Sequence, residues 1–283
     1  MYGGLVMDFL RRRRLMMAGS TEHDYSKDYL TFTFSEAGTF TLGKSANKAP
    51  TCSIDYSTDG GSTWSTLTSS TIYSYVNVSN GTVLLVKGSN SQYASNNSSR
   101  YNHFVTTANF ELSGNIMSLV NNTSFSTAYT LSSSYTLCSL FRSCTKLTNA
   151  ENLVLPATTL ASNCYDGLFY GCTALVTGPK ILPATSLTSN CYRSMYYGCT
   201  SLTGAPILPA TTISAYGYYN MFYNCSSLNY IKCLCITTGN NSTTNWVYGV
   251  AASGTFVKNT NKTNWGRDTH GIPVNWTVEN ATS

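Results

Sequence analysis

LPATTLASNCYDGLFYGCTAL (155–175), LPATSLTSNCYRSMYYGCTSL (182–202) and LPATTISAYGYYNMFYNCSSL (208–228) repeat one pattern three times at nearly even spacing. A unit of this length cannot bury its own apolar side chains, and several units stacked end to end form a continuous core. The sequence therefore predicts a stack of similar units, with equivalent residues of each unit aligned in columns.

Within each unit, the segment around the prolines predicts a short strand, and the segment represented by CYDGLFYGCTAL (164–175) predicts a helical or 3-10 turn on the opposite side. Gly171, Gly198 and Asn224 are suited to the positive φ that ends a short helix. LCSLFRSCTKL (137–147) is a degenerate earlier copy. Apolar residues at equivalent positions are expected to form three buried columns: Leu168, Met195 and Met221; Phe169, Tyr196 and Phe222; and Leu175, Leu202 and Leu228.

The ten cysteines include one that recurs once per unit. A free cysteine behaves as a small apolar side chain that donates weakly to carbonyl oxygens, so the favoured interpretation is a buried ladder of thiols. Disulfides and metal binding are the alternatives, although Cys233 and Cys235 have no second cysteine pair at zinc-finger spacing and no histidine nearby. No metal or cofactor site is predicted. The cysteine ladder comprises Cys144, Cys172, Cys199 and Cys225, and a second series contains Cys164 and Cys191, with Gly217 at the next position.

The preceding segment has a different pattern. YLTFTFSEAGTFTL (29–42) alternates apolar and polar residues, as a half-buried strand does. SIDYSTDGGSTWSTL (53–67) indicates a hairpin around Asp59-Gly60-Gly61, and TVLLVKG (82–88) and ANFELSG (108–114) supply further strands. We therefore expect a small β-sandwich over residues 28–114.

The repeats resemble the BspA-type leucine-rich repeats, which occur in surface proteins of Bacteroides-like gut bacteria and in virion proteins of their tailed phages. The resemblance covers residues 131–283, and NWVYGVAASGTFVKN (245–259) with GIPVNWTVEN (271–280) resembles the C-terminal cap of such repeats. Only about four copies are present, which implies a short binding surface. The expected fold is mainly β: an arm at 1–27, the β-sandwich at 28–114, a short leucine-rich-repeat β/α solenoid at 115–228 and a C-terminal cap at 229–283.

Charge is concentrated at the start of the chain. Four of the 17 basic residues are consecutive arginines, and the other 13 are nearly balanced by 12 acidic residues. A broad basic face for nucleic acid is therefore not expected. Three interpretations of the arm stay open: a solvated tail, an anchor that docks into another protein, or a segment lying on a membrane. The anchor would use Phe9, Leu10, Arg11, Arg12, Arg13, Arg14, Leu15, Met16 and Met17.

The residues supply little for catalysis. Glu151 and Asp166 are the only carboxylates between positions 131 and 264, and the three histidines lie in unrelated segments. Paired carboxylates, a nucleophile elbow, a phosphate loop and a metal-ligand cluster are not recognisable, so we expect no enzyme activity. No membrane span is expected, because no apolar segment reaches about 18 residues.

The resemblance and the lack of a recognisable export signal favour a phage virion fibre protein, made in the host cytoplasm and anchored by its arm to other virion proteins. The repeats would be displayed toward a host surface protein or glycan. The alternatives are a bacterial cell-surface adhesin and an intracellular interaction module. A homo-oligomer, most simply a trimer, is expected. Candidate host contacts are Tyr170, Tyr197 and Tyr223, which follow the buried aromatic residue of each unit; packing between turns or against a neighbouring subunit is the alternative for them.

Overall fold

The computed structural model describes residues 25–96 and 99–282, and this part of the chain is mainly β. The only helices within it are short 3-10 helices at Tyr25–Lys27, Ile116–Leu119 and Phe125–Thr127, and none has the length and apolar content needed to cross a bilayer. The strands are β1 (Leu30–Phe34), β2 (Gly38–Lys44), β3 (Ser53–Ser57), β4 (Ser65–Thr68), β5 (Val76–Val78), β6 (Val83–Gly88), β7 (Ala94–Asn96), β8 (Arg100–Thr106), β9 (Phe110–Asn115), β10 (Leu147–Val154), β11 (Thr212–Ile213), β12 (Tyr230–Cys233), β13 (Thr237–Thr238), β14 (Thr255–Lys258) and β15 (Thr277–Asn280).

Residues 30–115 form two facing sheets. One contains the strand order β9-β1-β6-β3-β4, and the other has the order β5-β2-β8-β7. The alternation in β1 directs Leu30, Phe32 and Phe34 into the space between the sheets, where all three are buried. The Phe32 ring lies 4.9 Å, centroid to centroid, from the rings of Phe40 and Phe104 on the facing sheet. The predicted hairpin forms as β3 and β4, with Asp59-Gly60-Gly61 in the turn.

One sheet extends into the repeats, and the other is hydrogen-bonded to them. On one side, β9 pairs in parallel with β10, and single parallel bridges then join Asn149 to Thr177, Thr177 to Gly204, and Gly204 to β12. On the other side, the Phe104 N–H on β8 donates to the Leu140 carbonyl. Residues 28–114 and the first repeat are therefore joined by backbone hydrogen bonds on both sides of the core, and their buried side chains belong to that one core.

The wall opposite the parallel bridges is a series of tight turns. Each repeat was expected to carry a helical or 3-10 turn there; no helix forms in the described repeats, but the turns contain 3-10-type hydrogen bonds that span three residues, such as Tyr170 N–H to the Gly167 carbonyl. Every fourth residue has positive φ, as at Asn163, Gly167 and Gly171, which prevents a helix from propagating. Successive N–H groups alternate in their partners: the Leu168 N–H donates back to the Tyr165 carbonyl, whereas the Phe169 N–H donates to the Met195 carbonyl of the next repeat. Both local turns and neighbouring repeats therefore satisfy this backbone.

The same spacing of positive φ occurs in four further turns, three residues in each. The expectation of positive φ at Gly171, Gly198 and Asn224 is confirmed, with values of 72°, 71° and 57°. In the four further turns, the residues with positive φ are Tyr135, Ser139 and Ser143; Asn190, Ser194 and Gly198; Tyr216, Asn220 and Asn224; and Asn241, Asn245 and Gly249.

The expected apolar columns are buried, with every member fully shielded from solvent. One column extends beyond the repeats at both ends. It begins at Phe104 between the facing sheets, runs through Phe141 and Phe169 at centroid separations of 5.4 Å, and ends against Trp246 beyond the third repeat. Strands β12, β14 and β15 continue the parallel stacking, and Trp265 stacks 5.7 Å from Trp246.

Candidate contact surface

The expected anchor lies outside the described residues, which begin at Tyr25. Its members are Phe9, Leu10, Arg11, Arg12, Arg13, Arg14, Leu15, Met16 and Met17. The candidate surface that the structure does describe is therefore the turn wall of the repeats, where the candidate host-contact tyrosines lie.

Those three tyrosines and Tyr248 form a stack of nearly parallel rings. Neighbouring ring centroids are 4.6, 4.7 and 4.7 Å apart, with interplanar angles of 1°, 1° and 16°. The stack follows from the fold, because equivalent residues of paired chain segments are held about 4.7–4.9 Å apart. We call this set the tyrosine ladder; its members are Tyr170, Tyr197, Tyr223 and Tyr248.

The residue that follows each ladder tyrosine has positive φ, as Gly171 and Asn224 show. Its N–H donates to the carbonyl of the next ladder tyrosine; the Gly171 N–H lies 2.7 Å from the Tyr197 oxygen, and the Asn224 N–H lies 2.7 Å from the Tyr248 oxygen. These bonds fix the backbone on which each ring stands. The rings therefore share one orientation because the turns beneath them do.

Stacking covers the ring faces. Both faces of Tyr197 lie against neighbouring tyrosines, and the Arg142 guanidinium covers the outer face of Tyr170 at 3.7 Å from the ring centroid. Tyr170, Tyr197 and Tyr223 are half-buried, whereas Tyr248 is 45% exposed. Partial burial, followed by the neighbouring Tyr170 and Tyr223, raises the pKa of Tyr197. The inner rings therefore present edges and hydroxyl groups to solvent, not faces on which a sugar could stack.

Arg142 and Tyr248 were not predicted as members of this surface. Arg142 occupies the ladder position of the degenerate copy, and it also lies 5.5 Å from the Tyr101 ring on β8. Tyr248 occupies the same position one repeat after Tyr223, within a segment that the sequence assigned to the cap. The pair Tyr248-Gly249, which matches Tyr170-Gly171 and Tyr197-Gly198, was the available signal.

The cysteine ladder lies inside the same wall. Each thiol donates to a carbonyl of the preceding layer at 3.0 or 3.1 Å: Cys144 to Phe104, Cys172 to Phe141, Cys199 to Phe169 and Cys225 to Tyr196. The Phe169 carbonyl, for example, also accepts the Cys172 N–H of its own turn. The thiol thus occupies the second acceptor site of a carbonyl to which no N–H of a neighbouring repeat donates.

All ten cysteines are free and buried. Burial raises the pKa of Cys144 and Cys199 to about 12, so these thiols are protonated near neutral pH. The second series also extends one layer earlier than predicted, to Cys138, which lies one repeat before Cys164. These properties suit packing, and they are opposite to those of a nucleophilic cysteine.

Other titratable groups are dispersed. Burial and the Arg142 charge lower the pKa of His103 to about 4, which keeps its imidazole neutral. Glu151 forms an ion pair with Lys180 at 3.2 Å on the surface. In residues 25–96 and 99–282, no three histidine, cysteine or acidic side chains are grouped so that they could hold a metal ion.

Comparison of the chain with protein-family models, with curated proteins and with solved structures found no match. The resemblance to BspA-type repeats therefore depends on the sequence pattern itself.

Proposed function

We propose that this protein is a non-enzymatic structural component of a phage virion, anchored through residues 1–27 and displaying its repeats for contact with the host surface. In this proposal the facing sheets are a β-sandwich, the repeats are a short leucine-rich-repeat solenoid, and the segment from residue 229 is its C-terminal cap. Tight turns occupy the position of the expected helical or 3-10 turn, so the proposed solenoid carries turns at that side.

The observation that carries the proposal is the tyrosine ladder on a continuous core. Four rings stand in register on backbone that pairs from layer to layer, and one aromatic column runs beneath them from Phe104 to Trp246. Such a wall loses little conformational freedom when a partner binds to it, which favours recognition. Tyrosine is also enriched at protein interfaces, because one side chain offers apolar area and a hydroxyl group.

The state of the thiols supports a structural role. A catalytic cysteine needs an accessible thiolate, whereas these thiols are buried, and burial raises their pKa values. The pKa of Cys191, for example, is raised to about 12. The buried imidazole of His103 has an unpartnered Nδ1 and a pKa lowered to about 4, which leaves it a weak base near pH 7.

Deletion of residues 1–20 tests the anchor. We expect the truncated protein to keep the melting temperature of the full chain and to be missing from purified particles when it replaces the full chain during infection. A second variant, with Arg11, Arg12, Arg13 and Arg14 changed to glutamine, tests whether the charges or the apolar residues provide the attachment. Incorporation of the truncated protein at normal copy number would contradict the anchor and favour the solvated tail.

Trimer formation is part of the proposal and is measured by native mass spectrometry of the purified full chain. Detection of the protein on the bacterial cell envelope in the absence of phage would instead favour the adhesin alternative. Detection only in the cytoplasm, with none in particles, would favour the intracellular interaction module.

A further inference from the structure

The C-terminal end of the stack contains an open cleft of about 440 Å³. One side comes from the last turn segment, with buried Val247 and half-buried Val250, and the other comes from residues 267–269 and 273–275. Val274 stands in this second side with 63% of its surface exposed, the second-largest exposure of any large apolar side chain described. We call this feature the C-terminal cleft.

Internal hydrogen bonds order the second side of the cleft. The Arg267 guanidinium donates to the carbonyls of Val274 and Trp276, which ties the two segments of this side together. The Asp268 Oδ1 atom accepts the N–H groups of His270 at 2.8 Å and Gly271 at 2.7 Å. This side is thus ordered by its own hydrogen bonds, which lowers the entropic cost of binding a ligand there.

The tyrosine ladder ends at this cleft. Tyr248 lies between two residues that line the cleft, Val247 and Gly249, and one face of its ring is covered by Tyr223. The Val247 N–H donates to the Thr269 carbonyl, so the segment around Thr269 forms the next layer of the stack. This segment is part of the second side of the cleft. Among the described residues no second ring stacks on Tyr248, so the terminal ring differs from the inner ones in having one face that no other ring covers.

We propose that the C-terminal cleft binds a neutral saccharide, an inference that rests on the proposed role in host-surface contact. The three valines that line the cleft offer apolar area for the C–H face of a sugar ring, and Tyr248 stands between two lining residues in the chain. Beside them, Asp268 Oδ2 is an available acceptor and the exposed Asn275 amide can donate and accept, which suits sugar hydroxyl groups.

The charges argue against an anionic ligand. Among the described residues that line the cleft, Arg267 is the only cation, and its guanidinium already donates to two carbonyls instead of presenting its paired donors outward. The Asp268 carboxylate would repel a phosphate, a sulfate or a sugar acid. The cleft is therefore suited to hexoses and N-acetylhexosamines that carry no charge.

The test uses the full chain and the methyl glycosides of glucose, galactose, mannose and N-acetylglucosamine, with binding measured by saturation-transfer NMR and titration calorimetry. Val274→Asp places a charge in the cleft, and Asp268→Asn keeps the turn acceptor while removing the carboxylate. We expect at least one glycoside to bind, and each variant to weaken that binding by roughly tenfold. Val176→Asp is the matched control, because Val176 is 46% exposed and lies outside the cleft; it should bind as the native chain does.

Binding that Val274→Asp and Asp268→Asn leave unchanged, or no binding of any of the four glycosides, would overturn the proposal. Adsorption of the purified protein to host cells separates this result from the proposed function. Cell adsorption without glycoside binding refutes the saccharide cleft and leaves host contact standing, whether through a surface protein or a charged glycan. Glycoside binding at the cleft without adsorption to any host cell supports the cleft and refutes the host-contact role.

Discussion

Phe141→Ala should destabilise the facing sheets and the repeats together. Phe141 is fully buried at the junction between them. Its ring centroid lies 5.4 Å from that of Phe104 on β8 and 5.4 Å from that of Phe169 in the next layer. Removal of this ring would leave a cavity that interrupts the aromatic column where the two parts of the chain meet.

Replacing a buried phenylalanine by alanine costs about 3–5 kcal/mol. Each kcal/mol lowers the melting temperature of a chain of 150–250 residues by about 2–4 °C, so the expected decrease is about 6–20 °C. Because backbone pairing crosses the junction along both walls, we expect one cooperative transition in the native chain and one in the variant.

Circular dichroism measures the melting temperature, and hydrogen exchange with mass spectrometry reports on the two parts separately through peptides covering residues 30–44 and 182–228. Protection should fall in both peptides of Phe141→Ala. Val176→Ala is the control, since a substitution at an exposed side chain typically changes the unfolding free energy by less than about 0.5 kcal/mol. Loss of protection in the repeats alone, with residues 30–44 unchanged, would show that the two parts are independent domains and would refute the shared core.

Three further outcomes are expected. Iodoacetamide at mildly alkaline pH should modify none of the ten thiols of the native chain and all ten after denaturation, because burial raises their pKa values. Mass spectrometry counts the adducts. An adduct or a disulfide in the native chain would contradict the buried ladder. Gly198→Ala should lower the unfolding free energy, measured by urea denaturation, by about 1–2 kcal/mol, because φ is 71° at Gly198. Gly204→Ala is the control, since Gly204 has open space around it and no positive φ, and it should cause no such loss. An equal loss of unfolding free energy in both variants would be contrary evidence. In the folded chain the pKa of His103 is lowered to about 4 from an ordinary value of 6.5, so the contribution of the neutral imidazole to stability is present above pH 6.5 and declines as pH falls toward 4. Urea titrations of His103→Gln should show a weaker pH dependence of the unfolding free energy between pH 6.5 and 4. An unchanged dependence would count against this assignment.

The repeat and its core were predictable from the amino-acid pattern. The period of the repeat, the apolar columns and the positive φ at Gly171, Gly198 and Asn224 were all predictable, because equivalent residues of stacked units must occupy equivalent environments. The mainly β character was also predictable from the alternation in residues 29–42.

Three features depend on contacts between distant parts of the chain and were not predictable from the amino-acid pattern. The turn wall is not helical, because each repeat places a left-handed residue at every fourth position, and Asn163 and Ser194 hold such positions without being glycine. Both sheets are joined to the repeats, since the pairing of β9 with β10 and the hydrogen bond from Phe104 to Leu140 connect segments that are distant in sequence. The tyrosine rings cover one another's faces, because the spacing of paired segments lies within the range in which aromatic rings stack; composition alone cannot distinguish a stacked ring from a free one.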